Sequence, residues 1–373
     1  MAVADVNNGQ LSAPGAFETG VVIVPEVPNV PDGSLSQYAI DHGLIPSGTR
    51  PSLRRYLKAI WQRRHFIIGY ATARNVSMYT EAKLGQIWQV LTPLLNACVY
   101  YLIFGFIFQQ SRGVEHYIAF LVCGVFIFAF TERSIVTNAN VMRVNLPLIR
   151  ALYFPRAALP LAYVIVELEQ TLLSLIVLFA IVLGFGEPLT LYWFLMVPVM
   201  LLQTMFNVGA ALLVARLAGA VQDVGELIPF ILRISRYFCG VMYMVTTLEP
   251  VYTRPWLERV LMLNPVAVYI SLARVSIMKS YRTNSPGNAP YNAAICNAFH
   301  NDDGGSHLVS GGTHLVNGVE VPGQYVSNAV WQASCHAVVT NPQLWIAAVG
   351  WAVVTFLVGL VFFWSAEHRY GRG

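Results

Sequence analysis

The sequence predicts an all-α integral membrane protein with six transmembrane helices, and three observations carry that prediction. Of the 373 residues only 11% are charged while 56% are hydrophobic, against about 25% charged in an average soluble domain. The apolar residues lie in continuous runs and not in strict alternation, which favours helices over a β-barrel. Lys and Arg gather in alternate connections, as they do when the cytoplasmic loops are the basic ones. The net charge is +4. No basic patch interleaved with aromatics points to nucleic acid.

Residues 1–50 are rich in Pro and Gly and carry Asp5, Glu18, Glu26, Asp32 and Asp41 against a single basic residue, Arg50. They read as a flexible cytoplasmic tail. No early basic region precedes an apolar core, so no signal peptide is expected. Residues 51–75 read as an amphipathic helix. Leu53, Leu57, Ile60, Trp61 and Ile67 share one face, while Arg54, Arg55, Lys58, Arg63 and Arg64 lie largely on the other. Pro51 suits a first helical turn. A basic amphipathic helix with Trp fits the inner-leaflet interface; the alternative is a soluble helix packed on a partner.

A helical span needs about 20 apolar residues. Within residues 84–365 such runs occupy 87–108, 117–136, 159–183, 191–217, 227–245 and 344–364. Before the first stand Arg50, Arg54, Arg55, Lys58, Arg63, Arg64, Arg74 and Lys83. Between the second and third stand Arg133, Arg143, Arg150 and Arg156, and between the fourth and fifth Arg216, Arg233 and Arg236. The loop between the first two runs holds only Arg112, and that between the third and fourth holds no Lys or Arg. Both termini, including a short tail at 366–373, are therefore expected in the cytoplasm of a multi-pass plasma-membrane protein. The long segment between the fifth and sixth runs faces out. Its own Arg and Lys do not oppose this, because long translocated segments obey the charge rule weakly.

Residues 143–161, RVNLPLIRALYFPRAALPL, link the second and third spans. Asn145 can cap a helix start, Pro147 is tolerated in a first turn, residues 148–154 suit two helical turns, and Pro155 stops them. Pro160 then opens the third span. A short, basic, apolar helix outside the membrane is expected to dock on a partner or to lie on lipid.

Glu167 and Glu169 lie well inside the third span, where carboxylates are costly and paired or functional. Two residues apart, they point to different faces. Arg233 and Arg236 at the inner end of the fifth span are the expected partners, tying spans three and five near an inner gate; the alternative for the arginines is snorkelling to headgroups. Tyr100 and Phe104 stand one turn apart on the first span, with Tyr101 beside them. Such rings can guide a sugar through stacking and hydroxyl contacts, or serve helix packing and the interfacial aromatic belt.

Residues 249–282 form two short apolar pieces split at Asn264-Pro265, and residues 283–340 form an extracytoplasmic loop. Counting 261–278 as a seventh span would put the C-terminus outside, against the charge pattern. Cys296 and Cys335 both fall in the outer loop, and an oxidising compartment predicts a disulfide between them. His300, His307 and His314 have Gly, Asn and Ser as neighbours, so a solvated loop and no metal site is expected.

Four stretches, taken together, resemble a known family. Leu84, Gly85, Trp88, Leu91, Pro93 and Leu94 are followed by an aromatic stretch ending in Phe104-Gly105. Then come Asn145, Leu148, Ile149, Phe154, Pro155 and Leu159-Pro160; Asp223; and Leu263-Asn264-Pro265 with Arg274. In this order the chain resembles ABC-2 (type V exporter) permeases, especially the polysaccharide branch of the Wzm type that exports O-antigen, teichoic acid and galactan. The long N-terminal tail and outer insertion resemble most the actinobacterial lipid-linked galactan exporters. It departs from the pattern in having Gln222-Asp223 where the family often has Arg-Asp, and in the insertion from about residue 280 to 340.

The resemblance implies a cytoplasmic coupling helix within 143–157 that rests on a separate ABC-type ATPase. Asn145, Leu148, Ile149, Leu152, Tyr153 and Phe154 would form it, with Arg150 and Arg156 reaching acidic or phosphate groups. It further implies re-entrant outer gate helices over 249–282. Tyr100, Tyr101 and Phe104 would line the glycan path of a homodimer in a complex of two permeases and two ATPases. The chain has no Gly-x4-Gly-Lys-Ser/Thr motif, so ATP and Mg belong to the partner and this chain is not itself an enzyme. Two rival readings remain at this level: an exporter of drugs or small lipids on the same fold, and a membrane acyl- or glycosyltransferase. The latter needs a His/Asp or paired-carboxylate cluster at one membrane face, which the sequence does not display.

Overall fold

The computed structural model describes residues 52–79, 87–107, 116–152, 154–243, 255–279, 281, 306–308, 313–316, 319–322, 325–327 and 341–366. All belong to one compact unit, Arg50–Gly373. Tyr153, Cys296, Cys335 and His300 lie outside the described residues, as do the tails 1–50 and 367–373.

Two helices precede the bundle, α1 (Leu53–Gln62) and α2 (Arg64–Tyr79). The single amphipathic helix expected over 51–75 is therefore broken at Arg63. Only α1 has the basic and apolar faces of a surface helix. α2 instead packs along α7 (Ala158–Gly184). The physical reason is its composition: Phe66, Ile67, Tyr70, Ala71 and Asn75 supply a second, inward stripe that the periodicity of α1 does not predict.

The bundle begins with α3 (Ile87–Tyr100), which contains Pro93 and continues as a wider π-helical stretch, Tyr101–Ile107. α4 (Tyr117–Ala139) is the hub. Every residue from Ala119 to Phe128 is buried, and it packs against α3, α7, α8, α9 and α11. After α4 come two short helices, α5 (Val141–Val144) and α6 (Leu146–Ala151), forming a hairpin at one end of the bundle. α7 follows, with Pro160 tolerated in its first turn. A 3-10 turn, Leu191–Leu195, leads into α8 (Met196–Ala220). Then come α9 (Gln222–Phe238), α10 (Pro255–Met262), α11 (Pro265–Ile277) and α12 (Asn341–Ser365).

Among the described residues, five helices are long and apolar enough to cross a membrane: Val90–Ile107, Tyr117–Ala139, Ala158–Gly184, Leu191–Ala220 and Pro342–Ser365. The expected fifth crossing differs. α9 has 17 residues, about 26 Å at about 1.5 Å per residue, short of a hydrocarbon core of about 30 Å. It stops because Gly240 adopts a left-handed conformation, φ 63°, and because the carbonyls that follow are taken by side chains of other helices. α10 and α11 are shorter still. They break at Asn264, whose side chain accepts a hydrogen bond from the Val266 N–H at 3.1 Å, so 261–278 is not one continuous helix.

α11 is buried on all sides from Val266 to Ile277. Tyr269 Oη donates to the Ala348 carbonyl at 2.9 Å, and Trp351 Nε1 donates to the Leu263 carbonyl at 2.9 Å, fixing α11 and its lead-in to α12. α8 and α12 cross at a pair of glycines. A Cβ on Gly209 would stand 2.4 Å from the Thr355 carbonyl oxygen, and one on Gly359 2.2 Å from the Gly209 oxygen. Such backbone contact is how helices associate where lipid removes the hydrophobic drive.

The helical bundle is all-α, but short strands stand between α11 and α12. β1 (Ser306–Leu308) pairs antiparallel with β4 (Tyr325–Ser327), and β2 (Thr313–Val316) with β3 (Val319–Pro322). Val316 faces Val319, and Asn317-Gly318 between them is the dipeptide that two-residue hairpin connections favour.

Candidate functional site: the basic hairpin and the charge pairs on α4

The hairpin is built from α5, α6, the extended Leu152 and the turn at Pro155–Ala157 that leads into α7. α6 starts at Leu146 and ends at Ala151, with Leu152 already extended. The expected helix over 148–154 is thus earlier and shorter, and Pro155 follows a turn that has already closed. Asn145 makes no side-chain cap. Its Nδ2 donates to the Val141 carbonyl at 2.7 Å and to Tyr163 Oη at 2.9 Å, and its Oδ1 accepts from Tyr70 Oη at 2.6 Å. Burial, and then the neighbouring Tyr163, raise the Tyr70 phenol above its ordinary range, so it remains a donor. The Arg74 guanidinium stacks on the Tyr163 ring at 4.1 Å.

Asn145 is therefore an internal knot joining hairpin, α2 and α7, and not a docking residue. Replacing it with Ala removes three hydrogen bonds, one to the half-buried Tyr70 hydroxyl and one to the buried Tyr163 hydroxyl, a loss expected to be about 2–3 kcal/mol. Chemical denaturation of the detergent-solubilised Asn145→Ala chain, read against wild type, checks this; an unchanged midpoint would refute it.

Ile149 and Phe154 also face inward. Both are buried in the core that includes Tyr56, Ile67, Ala158 and Leu159. The Phe154 ring meets Phe66 at 5.4 Å, and the Ala157 N–H donates to Tyr56 Oη at 3.2 Å. Leu148 and Arg156 are half-buried. The outward face consists of Arg143, Val144, Pro147, Arg150, Ala151 and Leu152, with Val144 60% and Leu152 51% exposed. Helical projection explains the difference. The expected apolar set took Leu148, Ile149, Leu152, Tyr153 and Phe154 together and left out Val144, while a helix of under two turns can aim only some of its apolar residues outward.

On α1, Arg54, Arg55 and Lys58 are exposed, as are Leu57 and Trp61, and so are Arg63 at the break and Arg64 at the start of α2. Arg64 Nη1 donates to the Trp61 carbonyl at 3.3 Å. Tyr56 is the residue of this helix that turns inward.

The charges inside the bundle pair differently from expectation. No described Glu on α7 meets an Arg of α9. Glu167 Oε2 lies 3.2 Å from Arg133 Nε on α4, an ion pair without hydrogen-bond alignment. Glu169 instead accepts from Asn75 Nδ2 at 2.9 Å and Thr72 Oγ1 at 3.5 Å, both on α2. Arg236 Nη2 bonds Glu132 on α4, and its Nη1 bonds the Tyr100 hydroxyl. Phe128 supplies a ring 5.2 Å from the same guanidinium. Arg233 is exposed.

Glu132 and Arg133 are thus adjacent on α4, about 100° apart around the helix, and each is neutralised by a different neighbour. Sequence reading took Arg133 as an orientation marker and missed Glu132. The signal was present as an acid inside an apolar run. It missed Tyr70 and Tyr163 too, since neither stands out from an apolar stretch.

The aromatic stripe is also redistributed. The π-helical stretch begins at Tyr101 and widens the turn, so the one-turn spacing from Tyr100 to Phe104 no longer sets a single face. Tyr100 is engaged by Arg236, Tyr101 is partly exposed against Tyr117, and Phe104 packs on the core. Tyr100, Glu132 and Arg236 together form a polar junction of α3, α4 and α9. α3 and α9 keep broad apolar faces outward, among them Leu95, Val99, Phe230 and Ile234.

Comparison with known proteins adds a family. Residues 68–278 match the model described as "ABC-2 type transporter". The "O-antigen export system permease protein RfbA" of Myxococcus xanthus is 23% identical over 228 residues, which cover 61% of this chain and 83% of that protein. Two proteins of the same description from Klebsiella pneumoniae are 25% and 24% identical over 166 residues, 44% of this chain and 63% of theirs.

Proposed function

Because the chain belongs to the ABC-2 type transporter family, we propose that it is the transmembrane subunit of an exporter of lipid-linked polysaccharide. The substrate is a galactan or a similar cell-envelope glycan, carried across the bacterial plasma membrane. A separate ABC-type ATPase supplies the work, holding ATP and Mg. The observation that carries this reading is the family match running from α2 to just beyond α11. The O-antigen permease relatives support the choice of a glycan.

In this reading both termini and the α5–α6 hairpin are cytoplasmic. The outward face of the hairpin, Val144 and Leu152 with Arg143 and Arg150, seats in the ATPase. α1 lies on the inner leaflet with its arginines among headgroups. The α10–α11 pair forms the re-entrant outer gate, with α11 covered by protein from Val266 to Ile277 as irregular backbone at that depth requires, and α10 on the exposed side. Two copies, each with one ATPase, enclose the route. α3 supports this, since most of its apolar surface is left uncovered within one chain. Tyr100, Glu132 and Arg236 then stand beside the route, with Tyr101 exposed to it.

The test is reconstitution. The chain is co-expressed and co-purified with an ABC-type ATPase from the same genome, placed in lipid nanodiscs, and ATP turnover is measured against lipid-linked glycan. Severalfold stimulation by the glycan and little by hydrophobic drugs or short-chain lipids is expected. Stimulation by drugs alone would move the substrate to that class, and failure to bind any ABC ATPase would remove the reading altogether.

A further inference from the structure

The turn that ends α9 is held by side chains from two other helices. Arg274, near the end of α11, is 2% exposed. Its Nη1 donates to the Gly240 carbonyl at 2.8 Å, its Nη2 to the Val241 carbonyl at 2.8 Å, and its Nε and Nη2 to the Phe120 carbonyl at 3.2 and 3.1 Å. The guanidinium lies 3.4 Å from the centre of the Phe120 ring. Tyr117 Oη takes the next carbonyl, that of Met242, at 2.7 Å. Three successive carbonyls are thus removed from any continuing helix.

The other end of α11 grips the same turn. Asn264, its N-cap, sits 3.5 Å from Cys239 Sγ through the very oxygen that caps Val266. Gly124 on α4 makes room for the cage: a Cβ there would stand 2.4 Å from Arg274 Nη2 and 2.9 Å from the Val241 oxygen. A guanidinium fits three separate carbonyls because its donors form a rigid fork; an ammonium offers a point charge on a flexible stem.

We infer that Arg274 is a positioning residue of the export path, fixing the end of α9 and thereby the place of Arg236 against Tyr100 and Glu132. Arg236 lies one helical turn before Gly240, in the last turn of α9. A shift of the 240–242 backbone carries it directly. The inference rests on the reading above, that the α3–α9 side faces the glycan route.

The native cysteines report on the cage without any transport assay. Cys239 is buried and adjoins the turn, Cys123 is buried beside Gly124, and Cys98 is exposed on α3. The full chain in nanodiscs is treated with N-ethylmaleimide, and each cysteine is read by peptide mass spectrometry. Arg274→Lys and Gly124→Ala are each expected to raise Cys239 modification about tenfold while Cys98 is unchanged. The double variant Gly124→Ala/Arg274→Lys is expected to label less than the two single effects combined, because the clash with Nη2 is gone while that with the Val241 oxygen stays. Tyr117→Phe, which loses one hydroxyl and keeps its ring, serves as the mild variant and should raise Cys239 labelling to a smaller extent.

In cells whose only copy is the variant, export by Arg274→Lys should fall about tenfold at wild-type abundance. Protection of Cys239 in Arg274→Lys, Gly124→Ala and Tyr117→Phe alike would overturn the cage. So would simple additivity in the double variant. Raised labelling with undiminished export would overturn the positioning role. If the wild-type chain itself moves no glycan, the functional reading fails, and the labelling still decides the cage.

Discussion

Leucine at position 359 is expected to leave no stably folded chain in the membrane. The reason is backbone contact, not a lost side chain. A Cβ at Gly359 would lie 2.2 Å from the carbonyl oxygen of Gly209, and no rotamer of a neighbour can move out of the way. α8 and α12 must separate along what is, among the described residues, the most extensive helix pairing. Overpacking an ordinary core costs about 1–3 kcal/mol. Here rigid backbone opposes rigid backbone, and several such contacts fail together. Thermal unfolding in detergent, with protease resistance as a second readout, measures the effect. Gly350→Leu is the control on the same helix, since a side chain there meets open space. A melting temperature of Gly359→Leu within about two degrees of wild type would show that the crossing is looser than described.

The second large effect separates docking from folding within one short hairpin. Leu152→Asp combined with Arg150→Glu alters the outward face, where Leu152 is exposed and extended. It is expected to abolish ATPase association and export while the melting temperature holds. Ile149→Ala and Phe154→Ala should do the reverse. Both side chains are buried against α1, α2 and α7, so truncation is expected to cost about 2–4 kcal/mol, with ATPase association retained in the fraction that folds. Co-purification with the ATPase, set beside the denaturation midpoint of each variant, distinguishes the two. Retained association in the double variant would move the docking surface elsewhere.

The long spans were legible because their signal is local. Residues 117–136 and 344–364 were expected as helices, and the helices observed are Tyr117–Ala139 and Asn341–Ser365. An uninterrupted apolar run decides such an element without help from the rest of the chain. The end of α9 was not legible in this way. Residues 239–245 are as apolar as those before them, and what stops the helix is Arg274, Tyr117 and a left-handed Gly240. Two of those three are remote in sequence.

The carboxylates teach the same lesson. Glu167 and Glu169 were identifiable as residues needing partners, but Arg133, Asn75 and Thr72 were reachable only through helix packing. At the hairpin, composition revealed a short apolar and basic element. Which of its residues face outward depends on α2, whose descent along α7 the amphipathic pattern of α1 did not announce.

The paired charges on α4 bear on how the chain is made. α4 is synthesised with Glu132 and Arg133 side by side, while Glu167 arrives with α7 and Arg236 only with α9. An unpartnered ionised side chain in lipid is costly, so α4 alone is a poor lodger in the bilayer. It is best retained at the protein-lined exit of the insertion machinery until its neighbours emerge. Phe120 and Tyr117 wait longer, for Arg274 and the turn at Met242. The hub of the bundle is thus among the earliest helices translated and among the last to be completed.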